Sequence, residues 1–96
     1  MLLECVAVEF LSTIDEYIFF DWLEQINGVS DVYGQGLSIM LTVDDSINDE
    51  SLRELLAVFY RYGIDMKQLG TFRNNDNQSW FYDNKQSFWC EKVFPK

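Results

Sequence analysis

The amino-acid sequence predicts an α+β domain in the order β-α-β-β-α-β: an antiparallel sheet, two helices on one of its faces, and an aromatic C-terminal extension. Three observations carry that prediction. Leu37–Val43 alternates apolar and polar side chains with the period of a half-buried strand. Two stretches, starting at Thr13 and at Asn48, repeat apolar residues at helical spacing between start and stop signals. A chain of 96 residues supports one hydrophobic core and no second one. Residues 1–96 are therefore read as a single domain, with an α+β core over 1–73 and an extension over 74–96 that packs on it.

Residues 2–11 read as the first strand, apolar on both faces and hence central. Thr13 followed by Glu16 reads as a capping box, in which hydroxyl and carboxylate each take an otherwise unpaired amide. Asp15 and Glu16 also suit the positive end of the helix dipole. The helix is expected to reach about Ile26 and to stop at Asn27-Gly28, a left-handed cap. At about 100° per residue, Ile18, Phe19, Trp22, Leu23 and Ile26 share the arc that faces the core. Tyr17, Phe20, Asp21 and Glu24 fall on the exposed arc. Val29–Tyr33 reads as a short second strand and Gly34-Gln35-Gly36 as a turn. The third strand points Leu37, Ile39, Leu41 and Val43 one way. Asp44–Glu50 is an acidic loop, and Asn48 caps a second helix carrying Leu52, Leu55, Leu56 and Phe59. That helix ends at Gly63, where Ile64 can fold back on Phe59. Met66–Phe72 is expected to be the fourth strand and Asn74–Ser79 a loop. Asp83 with Gln86 marks a short helix over Asn84–Lys92, with a hairpin as the competing reading.

This order is the split βαβ, or ferredoxin-like βαββαβ, arrangement. Right-handed crossovers put both helices on one sheet face and leave the other open. Residues 3, 5 and 7 of the first strand oppose 6, 8 and 10, and both sets are apolar, so the open face needs a cover. The candidates are the extension, with Trp80, Phe81, Tyr82, Phe88, Trp89 and Phe94, or a second copy of the chain. At roughly 25 cal/mol per Å² either cover is worth several kcal/mol. The extension is the favoured one.

Charge narrows the partner class. The chain holds sixteen acids, seven bases and no histidine, a formal charge of −9. The first fifty residues carry eleven acids and no base, and all seven bases follow residue 50. A duplex-binding protein needs the opposite footprint against phosphate, so nucleic acid is not the expected partner. The start Met1-Leu2-Leu3-Glu4 lacks the basic residues of a secretory signal, and no run approaches the roughly 18 apolar residues of a membrane span. A cytoplasmic location and no membrane contact are the expectations. Cys5 and Cys90 match no zinc spacing and read as reduced small hydrophobes.

No catalytic motif emerges, and neither a cofactor nor enzymatic activity is expected. Without histidine the commonest general base, the usual triad and most zinc sites are missing together. Asp44–Glu50 is rich in oxygen ligands but lacks the glycine and the closing glutamate of a calcium loop. Gly34-Gln35-Gly36 precedes a strand, not the helix that a phosphate cradle needs. The feature that points to function is the exposed arc of the first helix. Glu16, Tyr17, Phe20, Asp21 and Glu24 set aromatic anchors among carboxylates, the composition of a protein interface. Asp44, Asp45, Asp49 and Glu50 form a second patch if the fold brings them near. With no base in the same half, these carboxylates suit a basic protein partner, steered in electrostatically. The alternative is a small-molecule-binding regulatory domain that pairs as a homodimer through the open sheet face.

Ile26-Asn27-Gly28-Val29 after an amphipathic helix, followed by a glycine turn and an alternating strand, resembles the ferredoxin-like ACT domains over residues 3–72. Those domains carry glycine in the ligand loop after the first strand, where this chain has Leu11-Ser12-Thr13. The resemblance therefore implies topology without the ligand site. The CxxC of the heavy-metal-associated variant is also absent. Tyr62-Gly63-Ile64-Asp65, Trp80-Phe81, Phe88-Trp89 and Val93-Phe94 are similar to elements of small bacterial proteins encoded on mobile gene cassettes and beside toxin genes. That resemblance implies an immunity or inhibitor role and transfers no functional residue.

Overall fold

A computed structural model describes all residues from Met1 to Lys96. Strands β1 (Leu2–Val6), β2 (Val29–Gln35) and β3 (Ser38–Val43) form one antiparallel sheet in the order β1-β3-β2. Both outer strands run against β3, so β1 and β2 are parallel to each other with β3 between them, a split βαβ unit. Helix α1 (Thr13–Gln25) links β1 to β2, and helix α2 (Asp49–Arg61) follows β3. Leu3, Cys5, Leu41 and Val43 from one sheet face join Phe19 and Leu23 of α1 and Leu52, Leu55, Leu56 and Phe59 of α2 in a single core.

The first strand is shorter than expected. It ends at Val6 because Ala7 takes a left-handed conformation, φ 50°, and turns the chain off the sheet. Val8 and Phe10 therefore do not line the open face as a second apolar set. They pack against the core, with the Phe10 ring 5.3 Å from Phe19 and 6.2 Å from Phe20. The cap of α1 also shifts by one residue. Ser12 Oγ, not Thr13, accepts from the Asp15 amide, and the Asp15 carboxylate accepts from the Leu11 amide.

The hairpin differs in register from the expected one. β2 runs on through Gly34 and Gln35, leaving Gly36-Leu37 as a two-residue turn. Gly36 has φ 61° in the first central position, where the type II′ hairpin turn favours glycine. Leu37 is consequently at the hairpin tip and exposed instead of lining the core. Gly28, φ 103°, closes α1 as expected, and a side chain there would meet Ile47 Cγ2 at 2.9 Å.

Helix α2 follows its sequence signals closely. Asn48 Oδ1 accepts from the Ser51 amide at the start. At the end the Ile64 amide donates to Phe59 O and the Gly63 amide to Tyr60 O, the two bonds of a Schellman motif.

Beyond α2 the expected elements are replaced. Lys67–Phe72 is a 3-10 helix, not a fourth strand. Asp65 Oδ1 takes the Lys67 amide and turns the chain, after which Met66, Leu69 and Phe72 recur every third residue on the buried side. The segment reaches the outer edge of β1 through one side chain. Gln68 Oε1 accepts from the Glu4 amide at 2.9 Å, and Gln68 Nε2 donates to the Glu4 carbonyl at 2.8 Å. A carboxamide thus occupies the pairing place of a strand.

Neither Asn84–Lys92 as a helix nor a hairpin forms. The extension instead holds two single-turn helices, α3 (Gln78–Phe81) and α4 (Cys90–Val93), joined by turns. It does not cover the open sheet face. Val93 and Phe94 pack over Gly70 of the 3-10 helix, Phe88 lies 4.9 Å from Tyr60 of α2, and Trp89 Nε1 donates to the Phe81 carbonyl at 2.8 Å. The extension is thereby a second layer on α2 and the 3-10 helix. Register places Leu2, Glu4 and Val6, Asp31, Tyr33 and Gln35, and Ser38, Met40 and Thr42 on the face left bare.

Candidate functional site

The outer face of α1 differs from the expected one in which side chains it exposes. Phe19 and Leu23 are buried and Trp22 half-buried, its indole Nε1 donating to Glu54 on α2 at 2.9 Å. Ile18, expected in the core, is 52% exposed, whereas Phe20, expected as an outward anchor, is half-buried against Phe10 and Phe19. Tyr17 is 74% exposed, as the spacing requires. The cause is the Val8–Phe10 segment, which leaves the sheet and lies along one flank of the helix. The exposed ridge is Leu11, Ile14, Tyr17 and Ile18, continued toward the C-terminal end by Asp21 and Glu24. Leu11, Ile14 and Ile18 were not among the sequence candidates. Ile14 and Ile18 are four residues apart with Tyr17 between them, a second apolar stripe that a single sheet layer cannot bury together with the first.

The carboxylates of this face are in different situations. Asp15 is committed to the Leu11 amide and to the Tyr62 hydroxyl, which donates to Asp15 Oδ1 at 3.0 Å. Partial burial, followed by the Asp15 contact, holds the Tyr62 phenol above its ordinary range. Glu16 is exposed in the first turn, where it complements the helix dipole. Asp21 accepts from Gln25 Nε2 at 2.8 Å. Glu24 is exposed beside β2 and lines a shallow groove with Val29, Ser30, Asp31 and Val32. Both Asp21 and Glu24 sit in the half of the helix whose dipole disfavours them, and the last turn contains no base.

The second patch is mostly engaged in local structure. Asp44 Oδ1 accepts from the Ser46 amide and hydroxyl, and these bonds, the backbone one first, hold its carboxyl below the usual range. Asp45 pairs with the N-terminal ammonium at 3.0 Å. Asp49 and Glu50 are exposed in the first turn of α2. The loop abuts the C-terminal end of α1, since the Asp44 amide donates to the Gly28 carbonyl at 2.8 Å. Gln25, Asn27, Asn48 and Glu50 line one cleft there.

Across the whole molecule the charges stay apart. The ion pair of Asp45 with the N-terminus is the only one, and no lysine or arginine is paired with a carboxylate. Four of the bases lie over aromatic rings instead. The Arg53 guanidinium is 4.0 Å from the Trp80 centroid, Arg73 and Lys85 lie 3.5 and 3.7 Å from that of Tyr82, and Lys92 is 5.7 Å from Tyr60. No three acidic or cysteine side chains converge as metal ligands, and no helix is long and apolar enough to cross a membrane. Comparison with family models, curated proteins and solved structures finds no match.

Proposed function

We propose that the protein is a non-enzymatic binding module that docks an acidic surface onto a basic protein, acting as an immunity or inhibitor protein that blocks a nucleic-acid-handling enzyme by imitating phosphate charge. One observation carries this reading: sixteen carboxylates and seven bases share one small molecule, yet no lysine or arginine neutralises a carboxylate. Four of the seven bases lie over rings of α2 and the extension, which leaves Glu16, Asp21 and Glu24 of α1 and Asp49 and Glu50 of α2 to act outward. A cationic partner relieves their mutual repulsion and gains rate from it. Tyr17, with Ile14 and Ile18, supplies the apolar contact area that charge alone lacks.

The test is inhibition of a panel of basic ribonucleases and deoxyribonucleases, read as cleavage rate and as association rate at two salt concentrations. The expected result is a member of the panel that is inhibited, with association slowing steeply as salt rises. That effect should be lost when Asp21→Lys and Glu24→Lys are combined. Inhibition equal in the native and doubly substituted proteins would overturn the reading.

A second reading, a homodimeric regulatory domain that binds a small molecule, draws support from the bare sheet face. Leu2, Val6 and Tyr33 are exposed there around the half-buried Met40. It requires a dimer by light scattering and a thermal shift with a small ligand.

A further inference from the structure

The two edges of the sheet are treated differently. In β1 the odd residues face β3, as shown by the Met1–Val43 and Ala7–Leu37 backbone bonds, so the even ones face outward. Gln68 covers that edge by bonding both the amide and the carbonyl of Glu4. With the odd residues of β3 committed to β1, its even ones pair with Asp31, Tyr33 and Gln35 of β2. The amides and carbonyls of Val32 and Gly34 therefore point away from the sheet. β2 is the terminal strand, and no side chain bonds those groups. Of the usual guards of an edge, β2 has a bulge at Val29–Asp31 but no proline and no lysine, and Asp31–Gln35 stays paired in register.

We infer that this edge is where the partner docks: an extended basic segment of the partner adds to the sheet beside β2, bonded to Val32 and Gly34. The inference rests on the reading of the protein as an acidic docking module. Successive side chains of an added strand alternate between the two sheet faces. The residue opposite Val32 points toward Glu24 of α1, which lines the same groove, and its neighbour points toward Asp31 on the open face. Adjacent lysines or arginines would each meet a carboxylate. At Gly34 no atom lies within 4 Å of the place a Cβ would take, so a bulky residue opposite it has room. Charge decides against a second copy of the chain, because β2 contains no lysine or arginine with which to meet Asp31 and Glu24.

Three labelled peptides of equal charge test this against the unsubstituted protein: a capped decapeptide in which adjacent lysine pairs alternate with pairs of valine or threonine, the same peptide with alternate backbone amides methylated, and a lysine-rich helical peptide. Anisotropy titrations at low salt should give the first peptide a Kd at least about tenfold below the other two. Hydrogen exchange of the Val32 and Gly34 amides should slow by about tenfold or more when it binds. Equal affinity of all three peptides, with those amides unprotected, would overturn the strand docking while leaving the acidic-module reading in place. Absence of binding by any of them at low salt would overturn both. Protection of the two amides in the free protein, accompanied by a dimer in sedimentation, would assign the edge to a second copy and overturn the inference.

Discussion

Cys5 shows how one residue links position to pH dependence. Its side chain is fully buried between the sheet and the helices. Burial first, and the neighbouring Glu4 charge second, push its thiol up from 9.0 to about 12. In the unfolded chain the thiol ionises near its ordinary value, so from pH 9 to about 12 the native state retains a proton that the unfolded state has released. The sign follows directly: stability falls as pH rises through that window, by about 1.4 kcal/mol per pH unit. Urea unfolding on either side of pH 9 should show this slope, and Cys5→Ala, though less stable near neutral pH, should flatten it. An unchanged slope in the substituted protein would assign the effect to other groups. Under native conditions near neutral pH, Cys5 should resist alkylation and react only on unfolding.

Among the elements, the 3-10 helix and α1 allow two opposite predictions. Gln68 satisfies both the amide and the carbonyl of Glu4, in place of a strand. Gln68→Ala should cost about 0.5–1.5 kcal/mol, the net worth of edge hydrogen bonds whose groups water can reach once the carboxamide is gone. The check is chemical denaturation together with faster exchange of the Glu4 amide. Glu24, by contrast, stands in the last turn of α1, a turn without a base. Glu24→Lys should stabilise the fold by about 0.3–1 kcal/mol through the helix dipole while slowing association with a basic partner. A group that is unfavourable for its helix but favourable for docking is what an acidic interface predicts. Loss of stability in Glu24→Lys would mean that its carboxylate is bonded within the fold.

The whole molecule is polarised, with carboxylates concentrated in α1 and the Asp44–Glu50 loop, all seven bases beyond residue 50 and four of them over the rings of α2 and the extension. Two salt effects of opposite sign follow. Screening relieves the self-repulsion of a chain with charge −9, so moderate salt should raise the denaturation midpoint. The same screening should slow association with a basic partner. Thermal unfolding and stopped-flow association over one salt series would check both. A midpoint that falls with salt would imply attractive pairs that the structure lacks.

The sequence by itself determined the elements whose signals are local: α1 and α2 with their glycine stops, the alternating β3, and a charge distribution in which no base precedes residue 50. It also named Tyr17, Asp21 and Glu24 as outward-facing, because a helix fixes azimuth from spacing alone. Tertiary structure decided what depends on neighbours distant in the chain. Apolar alternation through residue 10 looked like a longer strand, but packing against Phe19 and Tyr62 drew Phe10 off the sheet, buried part of Phe20 and left Ile18 outside. The repeat of Met66, Leu69 and Phe72 at intervals of three was legible, yet the strand expected there lost to a turn that buries all three residues at once. The extension's aromatics gave no direction of their own, and they settled on α2 and the 3-10 helix, where Arg53, Tyr60 and Gly70 offered ring and backbone contacts. Spacing sets which face a residue occupies within its own element, but only the arrangement of the other elements sets whether that face is covered.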